Sequence, residues 1–308
     1  MVSTSAMGML RMRATVPVLS VSRKELAFFR MRAMGWVVSV GRVGDSVLLL
    51  LVFGCLTGVT TVLFGFGGGF VTVPVVYAFT VARSGGGVDA MHVAVATSAA
   101  VMVVNSVGAT LAQARSGRLR REYLWPLGAW VAVGAAAGAL GAVAVGDAVQ
   151  RVLFAVYLGV TILDSVVRRG FVAGGVAGAG PRPLGRVAAS AGGVGIGAVA
   201  SVLEVGGSVM TVPLLRRRGV AMADAAAMAN PLSVPVAVVG TAVYALVGSG
   251  AAPGHVGYVD VVAAGLLLAG SLPAIAVVRR VVGRVPDRVH AVAYIGLLVV
   301  VLVAIVVV

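Results

Sequence analysis

The sequence from Ser46 to Ala82 contains no charged residue, and the glycine-rich stretch GFGGGFVTVP at 65–74 interrupts it in the middle. A helix needs about twenty apolar residues to cross the hydrocarbon of a bilayer. Runs of this kind follow one another along the chain, in which 60% of the residues are hydrophobic and 11% are charged. The sequence therefore predicts a multi-pass protein of the cell membrane that is in contact with membrane lipid.

The distribution of charge excludes several other classes of protein. The formal net charge is +14, but the arginines cluster between the apolar runs, as they do in cytoplasmic loops, so we predict no nucleic-acid partner.

One cysteine and three scattered histidines make a metal site unexpected. No serine–histidine pair and no pair of carboxylates stands out at membrane depth, so we expect no catalytic residue, no cofactor and no enzyme.

Apolar runs and turn signals predict ten helical segments in the order long, short, long, long, long, twice over. TVP at 72–74 returns as TVP at 211–213, and the segment that holds Thr97 corresponds to the one that holds Asn230. We therefore predict an all-α membrane helix bundle of two pseudo-symmetric repeats of four or five helices, each with a short segment broken by glycine and proline. The ten segments are 46–64, 69–82, 90–113, 123–146, 150–167, 186–203, 207–215, 221–248, 258–278 and 288–308.

The predicted division of the chain has four parts: a basic and poorly ordered tail at 1–45, repeat 1 at 46–170, a Gly/Pro-rich linker at 171–185 and repeat 2 at 186–308. Broken segments at matching positions are typical of inverted-repeat transporters, so we expect the repeats to be inverted. Five crossings per repeat, with the arginine-rich loops inside, would put the basic tail outside. Two alternatives stay open: the tail lies outside, or the first short segment dips into the membrane and returns.

The glycine break predicts a cavity, because non-helical backbone at membrane depth is tolerated only inside protein or beside water. Gly67, Gly68 and Gly69 have no side chains, so an anion can approach their N–H groups, and a helix that starts after them points its positive end at the same spot. Pro74 bends or ends that short helix. The alternative is that the glycines only let helices pack closely.

The candidate substrate-binding residues are the glycines and prolines of both breaks and nearby hydroxyl and amide side chains. For Asn105 and Asn230, lining the cavity and satisfying amides at a helix break are both open. Asp89 and His92 open the third segment, where we expect helix capping. The full set is Gly67, Gly68, Gly69, Thr72, Pro74, Thr97, Ser98, Asn105, Gly206, Gly207, Ser208, Thr211, Pro213 and Asn230.

Glu204 is the one acid in the second glycine region, and it is our candidate for proton coupling because ionisable residues inside a membrane are functional by default. The alternative is a structural group at a helix end. A carboxylate at this place repels an anion unless it is protonated.

These features resemble the TauE/SafE sulfite exporter family, also called the TSUP family. The resemblance rests on G-x-G-G-G-x-x-x-x-P from Gly65 to Pro74, its weaker copy before Pro213, the Ala-Thr-Ser of the next long segment and the long-short-long layout, and it spans about residues 46–308. In the second copy, Glu204 stands opposite Gly65. The matching motif positions are Gly65, Gly67, Gly68, Gly69, Pro74, Gly206, Gly207 and Pro213.

The resemblance implies a transporter of the cytoplasmic membrane for sulfite, sulfonates or related organosulfur anions. Our leading hypothesis is secondary active transport of such an anion by alternating access between the two halves. The alternatives are a transporter of a different small anion or neutral solute, and a membrane scaffold that needs no cavity.

Overall fold

The computed structural model describes residues 43–84, 89–117, 119, 124–167, 185–217, 219–248, 253–282 and 285–307. This part of the chain forms ten α-helices and one two-stranded antiparallel sheet. The predicted tail, apart from its last three residues, and the linker, apart from residue 185, lie outside the described residues. The helices are α1 Val43–Phe64, α2 Gly69–Ser84, α3 Ala90–Arg115, α4 Leu127–Val143, α5 Asp147–Val167, α6 Arg186–Leu203, α7 Ser208–Arg217, α8 Met222–Val247, α9 Val261–Val278 and α10 Asp287–Val307.

Each of the ten predicted segments corresponds to one of these helices, and the main differences are at helix starts. The segment predicted at 258–278 begins as a strand: β1 (His255–Val256) pairs with β2 (Val259–Asp260), and α9 starts only after them. Asp260 ends the hairpin and caps α9, since its side chain accepts a hydrogen bond from the N–H of Ala263 at 2.9 Å.

The helices give the chain the character of a multi-pass membrane protein. Six of them are long and apolar enough to cross a membrane, and Gly69–Arg83, Leu127–Val143 and Ala189–Leu203 are shorter apolar helices. Many leucine and valine side chains point outward from these helices, as contact with lipid requires. The six spans are Ser46–Phe64, Ala90–Arg115, Asp147–Val167, Met222–Val247, Val261–Val278 and Asp287–Val307.

The packing of the helices relates the two halves of the chain. The two most extensive helix pairs are α4 with α6 and α1 with α9, and α3 packs against α8. In the first half α2 packs on α3, and in the second half α7 packs on α8. Helices α5 and α10 pack on each other. If α1–α5 are exchanged, in order, with α6–α10, the pair α4 and α6 becomes α9 and α1, and the pair α2 and α3 becomes α7 and α8. The pairs α3 with α8 and α5 with α10 are converted into themselves. This pattern supports two pseudo-symmetric repeats.

The direction of α5 and α10 bears on whether the repeats are inverted. Arg151, near the start of α5, donates a hydrogen bond from Nε to the carbonyl oxygen of Ile305 in the last turn of α10, at 3.0 Å. The two helices therefore run antiparallel. A two-fold axis that exchanges antiparallel helices turns one half upside down relative to the other, so this packing supports the inverted arrangement.

Glycines allow the two most extensive pairs to approach closely. A β-carbon placed on Gly54 of α1 would lie 2.4 Å from the carbonyl oxygen of Leu267 on α9. One placed on Gly138 of α4 would lie 2.3 Å from the carbonyl oxygen of Ala198 on α6. Any larger residue would push these backbones apart, so close packing accounts for these glycines.

Candidate functional site

The two glycine breaks share a left-handed backbone at two matching positions, Gly65 with Glu204 and Gly67 with Gly206, and differ at the next, where Gly68 is left-handed and Gly207 is not. Gly65, Gly67 and Gly68 have φ angles of +74°, +63° and +96°. In the second break, Glu204 has φ +45° and Gly206 has φ +69°. Residues with a β-carbon rarely adopt this left-handed conformation. The sequence comparison that set Glu204 opposite Gly65 therefore corresponds to a shared backbone conformation.

The two breaks contact each other inside the protein. A β-carbon placed on Gly69 would lie 2.6 Å from the carbonyl oxygen of Glu204, and one placed on Gly206 would lie 3.2 Å from the carbonyl oxygen of Phe66. Residues 65–70 and 203–209 are all buried. Two stretches that are far apart in sequence thus form one buried region of non-helical backbone, which we call the paired break.

Backbone donors in the paired break lack acceptors. The N–H of Gly69 donates to the carbonyl oxygen of Phe66 at 3.3 Å. Among the described residues, no backbone group accepts a hydrogen bond from the N–H of Gly67 or Gly68, or from the N–H of Gly206 or Gly207. Buried backbone N–H groups are nearly always paired, so these four are exceptions among the described residues.

Hydroxyl groups donate hydrogen bonds to two carbonyl oxygens of the first break. Thr72 Oγ1 donates to the carbonyl oxygen of Gly68 at 2.9 Å, and Ser98 Oγ donates to that of Gly69 at 3.1 Å. These two carbonyl oxygens therefore have donors within the chain, whereas the N–H groups of Gly67 and Gly68 have no backbone acceptor among the described residues.

Asn105 and Ser106 of α3 face the first break. Asn105 Oδ1 accepts a hydrogen bond from Ser271 Oγ at 2.8 Å, which fixes the amide so that Nδ2 lies 3.1 Å from a β-carbon placed on Gly68. Ser106 Oγ lies 2.2 Å from a β-carbon placed on Gly67. Both Asn105 Nδ2 and Ser106 Oγ are buried without a partner in the described part of the chain. They add two donors beside the unpaired N–H groups.

The second break has polar neighbours of the same kind. Ser208 Oγ and Thr211 Oγ1 are buried and have no hydrogen-bond partner within the described ranges. Asn230 Nδ2 donates to the carbonyl oxygen of Thr61 at 3.3 Å, at the C-terminal end of α1, so this side chain ties the two halves together. Its Oδ1 is unpartnered among the same residues.

Met102 of α3 lies between the two breaks and was not among the residues predicted for the site. Its Sδ lies 3.0 Å from a β-carbon placed on Gly206, 3.2 Å from one on Gly67 and 3.4 Å from one on Gly69. Methionine is flexible and fills irregular space. In a long apolar helix it looks like any residue that packs in the core, which is why sequence reasoning passed over it.

Glu204 is completely buried at the C-terminus of α6. Its Oε1 accepts a hydrogen bond from Ser201 Oγ at 3.3 Å, whereas its Oε2 has no partner in the described part of the protein. The carboxyl group packs where Gly240 of α8 has no side chain: a β-carbon there would overlap Glu204 Oε1. The carboxyl group is therefore held in place, but only half of its hydrogen-bonding capacity is used.

The other predicted residues have different surroundings. Thr97 Oγ1 accepts a hydrogen bond from the N–H of Asp260 at 3.0 Å, where the β-hairpin meets α9, so its part in a substrate site stays a prediction. Pro74 and Pro213 stand inside α2 and α7, one turn beyond the paired break. The atoms nearest to a β-carbon placed on Gly207 would belong to Ile196, Leu232 and Thr211, at 3.5 Å or more.

The expectation that Asp89 caps α3 is wrong. Asp89 takes φ +85° and its side chain makes no capping hydrogen bond. Asp147, the first residue of α5, instead accepts the N–H of Met91 at 3.0 Å, and its other oxygen lies 2.7 Å from His92 Nδ1. The cap comes from a residue distant in sequence because the N-termini of α3 and α5 meet.

The second half of the chain has a matching contact, in which the N-termini of α8 and α10 meet through different residues. Asp287, the first residue of α10, accepts the N–H of Met222 at 2.7 Å, and it lies 2.9 Å from Arg216 Nη1. Asp89, His92 and Asp147 offer ligand atoms within 4.8 Å of one another. Because Asp147 already bonds His92 and the N–H at the start of α3, we interpret this cluster as a contact that joins two helix N-termini. The corresponding contact in the other half contains Arg216 in place of a histidine.

Comparison with known proteins agrees with the membrane helix fold. The family model described as Sulfite exporter TauE/SafE matches residues 50–305, which include both breaks and most of every helix. No curated protein and no solved structure matches the chain. The match covers most of the chain and confirms the resemblance read from the glycine pattern. The chain belongs to the TauE/SafE sulfite exporter family, a family of membrane transporters for sulfite and organosulfur anions.

Proposed function

We propose that this protein is a secondary active transporter that moves a small sulfur-containing anion, sulfite or a sulfonate, by alternating access, and that the paired break is its substrate site. The family supplies the class of substrate. The single observation that carries the assignment of the site is the set of unpaired, buried N–H groups of Gly67, Gly68, Gly206 and Gly207, which point to an acceptor-rich ligand.

The chemistry of these donors suits an oxyanion that must also be released. A sulfite or sulfonate group presents three oxygen atoms that accept hydrogen bonds, and the whole group donates at most one hydrogen bond. Helices α2 and α7 start at the paired break, at Gly69 and Ser208, so their positive ends favour a negative charge there. Neutral donors and helix ends hold an anion without the strong pairing that a buried arginine would give.

Alternating access follows from the packing of the two halves. One break belongs to each half, and Asn230 of one half bonds the end of α1 in the other. If the halves rock against each other about the paired break, the same donors face first one side of the membrane and then the other, as in other transporters built from inverted repeats. Transport of a different small anion or a neutral solute, and a scaffold role without transport, are the competing possibilities.

The test of this proposal is flux in proteoliposomes. We expect saturable uptake of labelled sulfite or of a short-chain sulfonate, with each sulfur oxyanion competing against the others. Liposomes without protein and uptake of a neutral solute of similar size are the controls. Saturable uptake of the neutral solute or of an unrelated anion, with none of any sulfur oxyanion, would favour the alternative substrates, and absence of all uptake would favour the scaffold.

Met102→Ala is expected to change which substrates are accepted. Met102 fills the space between the breaks, so a bound anion has to displace its side chain, and a shorter residue leaves more room. We expect the ratio of kcat/KM for a long-chain sulfonate to that for sulfite to rise by about tenfold or more, the discrimination that one methylene gives in a tight pocket. Met102→Leu, which keeps most of the volume, is the control. An unchanged ratio would mean that Met102 only packs the core.

A further inference from the structure

An apolar groove runs along the outer side of α2, between α1 and α10. It has a volume of about 230 Å³ and is lined by apolar side chains from all three helices. Phe53 of α1, Val300 of α10, and Pro74, Ala78 and Phe79 of α2 are among them. The groove lies on the surface that the membrane surrounds, so hydrocarbon rather than water is the medium that fills it.

The length of the groove matches one leaflet of a bilayer. On α2 its lining extends from Val71, just after the paired break, to Ala82, near the end of the helix. At about 1.5 Å per residue this stretch is roughly 16 Å long, and half of a bilayer's hydrocarbon is about 15 Å thick. A single acyl chain that enters at the membrane surface would therefore reach down to the helix turn that follows the break.

A positive charge stands at the outer end of the groove. Arg83 directly follows Ala82, and its guanidinium carbon lies 5.2 Å from the centre of the Phe79 ring, which lines the groove. Arginine pairs well with phosphate because its donors form a planar fork. The arrangement of an apolar channel one leaflet deep with a guanidinium at its mouth is complementary to a lipid with an anionic headgroup.

We propose that this groove is a binding site for one anionic phospholipid, with an acyl chain against Pro74 and Ala78 and the headgroup phosphate at Arg83. The bound chain would touch α2 along its length, so that the lipid supports the helix that begins at the paired break. This proposal rests on the groove and Arg83 alone, and it holds whether or not the paired break binds a sulfur anion.

The experiment uses the full-length protein in nanodiscs that contain a phosphatidylglycerol or a phosphatidylcholine with a photoreactive group in its acyl chain. After illumination, mass spectrometry locates the adducts. We expect phosphatidylglycerol adducts to concentrate on α1, α2 and α10. Arg83→Gln should lower them about fivefold, the size of effect that one basic residue has on anionic lipid, and should leave phosphatidylcholine adducts unchanged.

Two further variants separate the groove from its surroundings. Ala78→Phe should fill the groove and reduce adducts from both lipids, whereas Val160→Phe places the same ring on the exposed outer face of α5 and should not. Arg115→Gln removes a charge at the end of α3 and should also have no effect. Adducts spread evenly over the outer helices, equal labelling by the two lipids, or undiminished adducts in Ala78→Phe would each overturn the proposal.

Discussion

Gly68→Ala is expected to reduce substrate flux to the level of liposomes without protein. Gly68 has φ +96°, and a β-carbon there would lie 2.3 Å from Thr57 Cγ2 and 3.1 Å from Asn105 Nδ2. The new methyl group would therefore stand beside the donors that we assign to the anion. The measurement is uptake of labelled sulfite or sulfonate at equal amounts of protein in the membrane.

Folding has to be separated from binding in this experiment, because a residue with a β-carbon in the left-handed region costs about 1–2 kcal/mol. Thr57→Ser removes the clashing methyl group and keeps the hydroxyl, so Gly68→Ala/Thr57→Ser should recover the stability lost to this clash and keep only the cost of the left-handed conformation. If the paired break binds substrate, this double variant still fails to transport. Recovery of flux together with stability would mean that Gly68 serves packing.

Gly207→Ala is the matched control in the other half. Gly207 is not among the residues with positive φ, and a β-carbon there would meet Ile196, Leu232 and Thr211 at ordinary contact distances of 3.5 Å or more. The methyl group would clash with none of these atoms, and the N–H of Gly207 would remain. We expect this variant to reach the membrane and to transport, so the two glycines of matching sequence position should respond differently.

The helices and the breaks were predictable because they depend on local sequence. Apolar runs of membrane-spanning length define the ten helices, and a run of glycines that no helix favours defines each break. What local sequence does not contain is the direction of a β-carbon, so the difference between Gly68 and Gly207, both in Gly-Gly pairs, appears only in the folded chain.

The residues that the sequence did not reveal are those whose roles depend on distant partners. Met102 matters because two breaks, one from each half, meet at its sulfur atom. Asp147 caps α3, and Asp287 caps α8, across loops that bring the helix starts together. Asn105 is oriented by Ser271, which is far away in the chain. None of these pairings has a signature in spacing or periodicity.

Both the backbone conformation of Glu204 and the contacts of its side chain affect its role. It takes the left-handed conformation that glycine provides in the first break, and it is held between Ser201 and the space left by Gly240. An acid that only ended a helix would need neither burial nor a glycine opposite its carboxyl group. A charged carboxylate in this position is costly because one oxygen has no donor, and an adjacent anion makes it costlier.

Glu204→Gln is therefore expected to keep substrate exchange at equal pH and to lose the stimulation of uptake by a pH gradient. Anion binding should draw a proton onto the carboxyl group, so that each anion moves with one proton, and glutamine imitates the protonated state permanently. The measurement compares counterflow without a gradient to net uptake with one. Ser201→Ala, which removes the hydroxyl but keeps the acid, is the control and should retain gradient dependence.

The same substitution should also change the electrical character of transport. For a sulfonate with a single negative charge, the wild-type cycle moves one anion and one proton in the same direction, so no net charge crosses the membrane. Without the titrating carboxyl group, the anion crosses alone, and Glu204→Gln should make sulfonate uptake respond to an imposed membrane potential. Uptake by the wild type that follows the potential, or equal gradient dependence in wild type and variant, would remove Glu204 from coupling and leave it as the residue that ends α6.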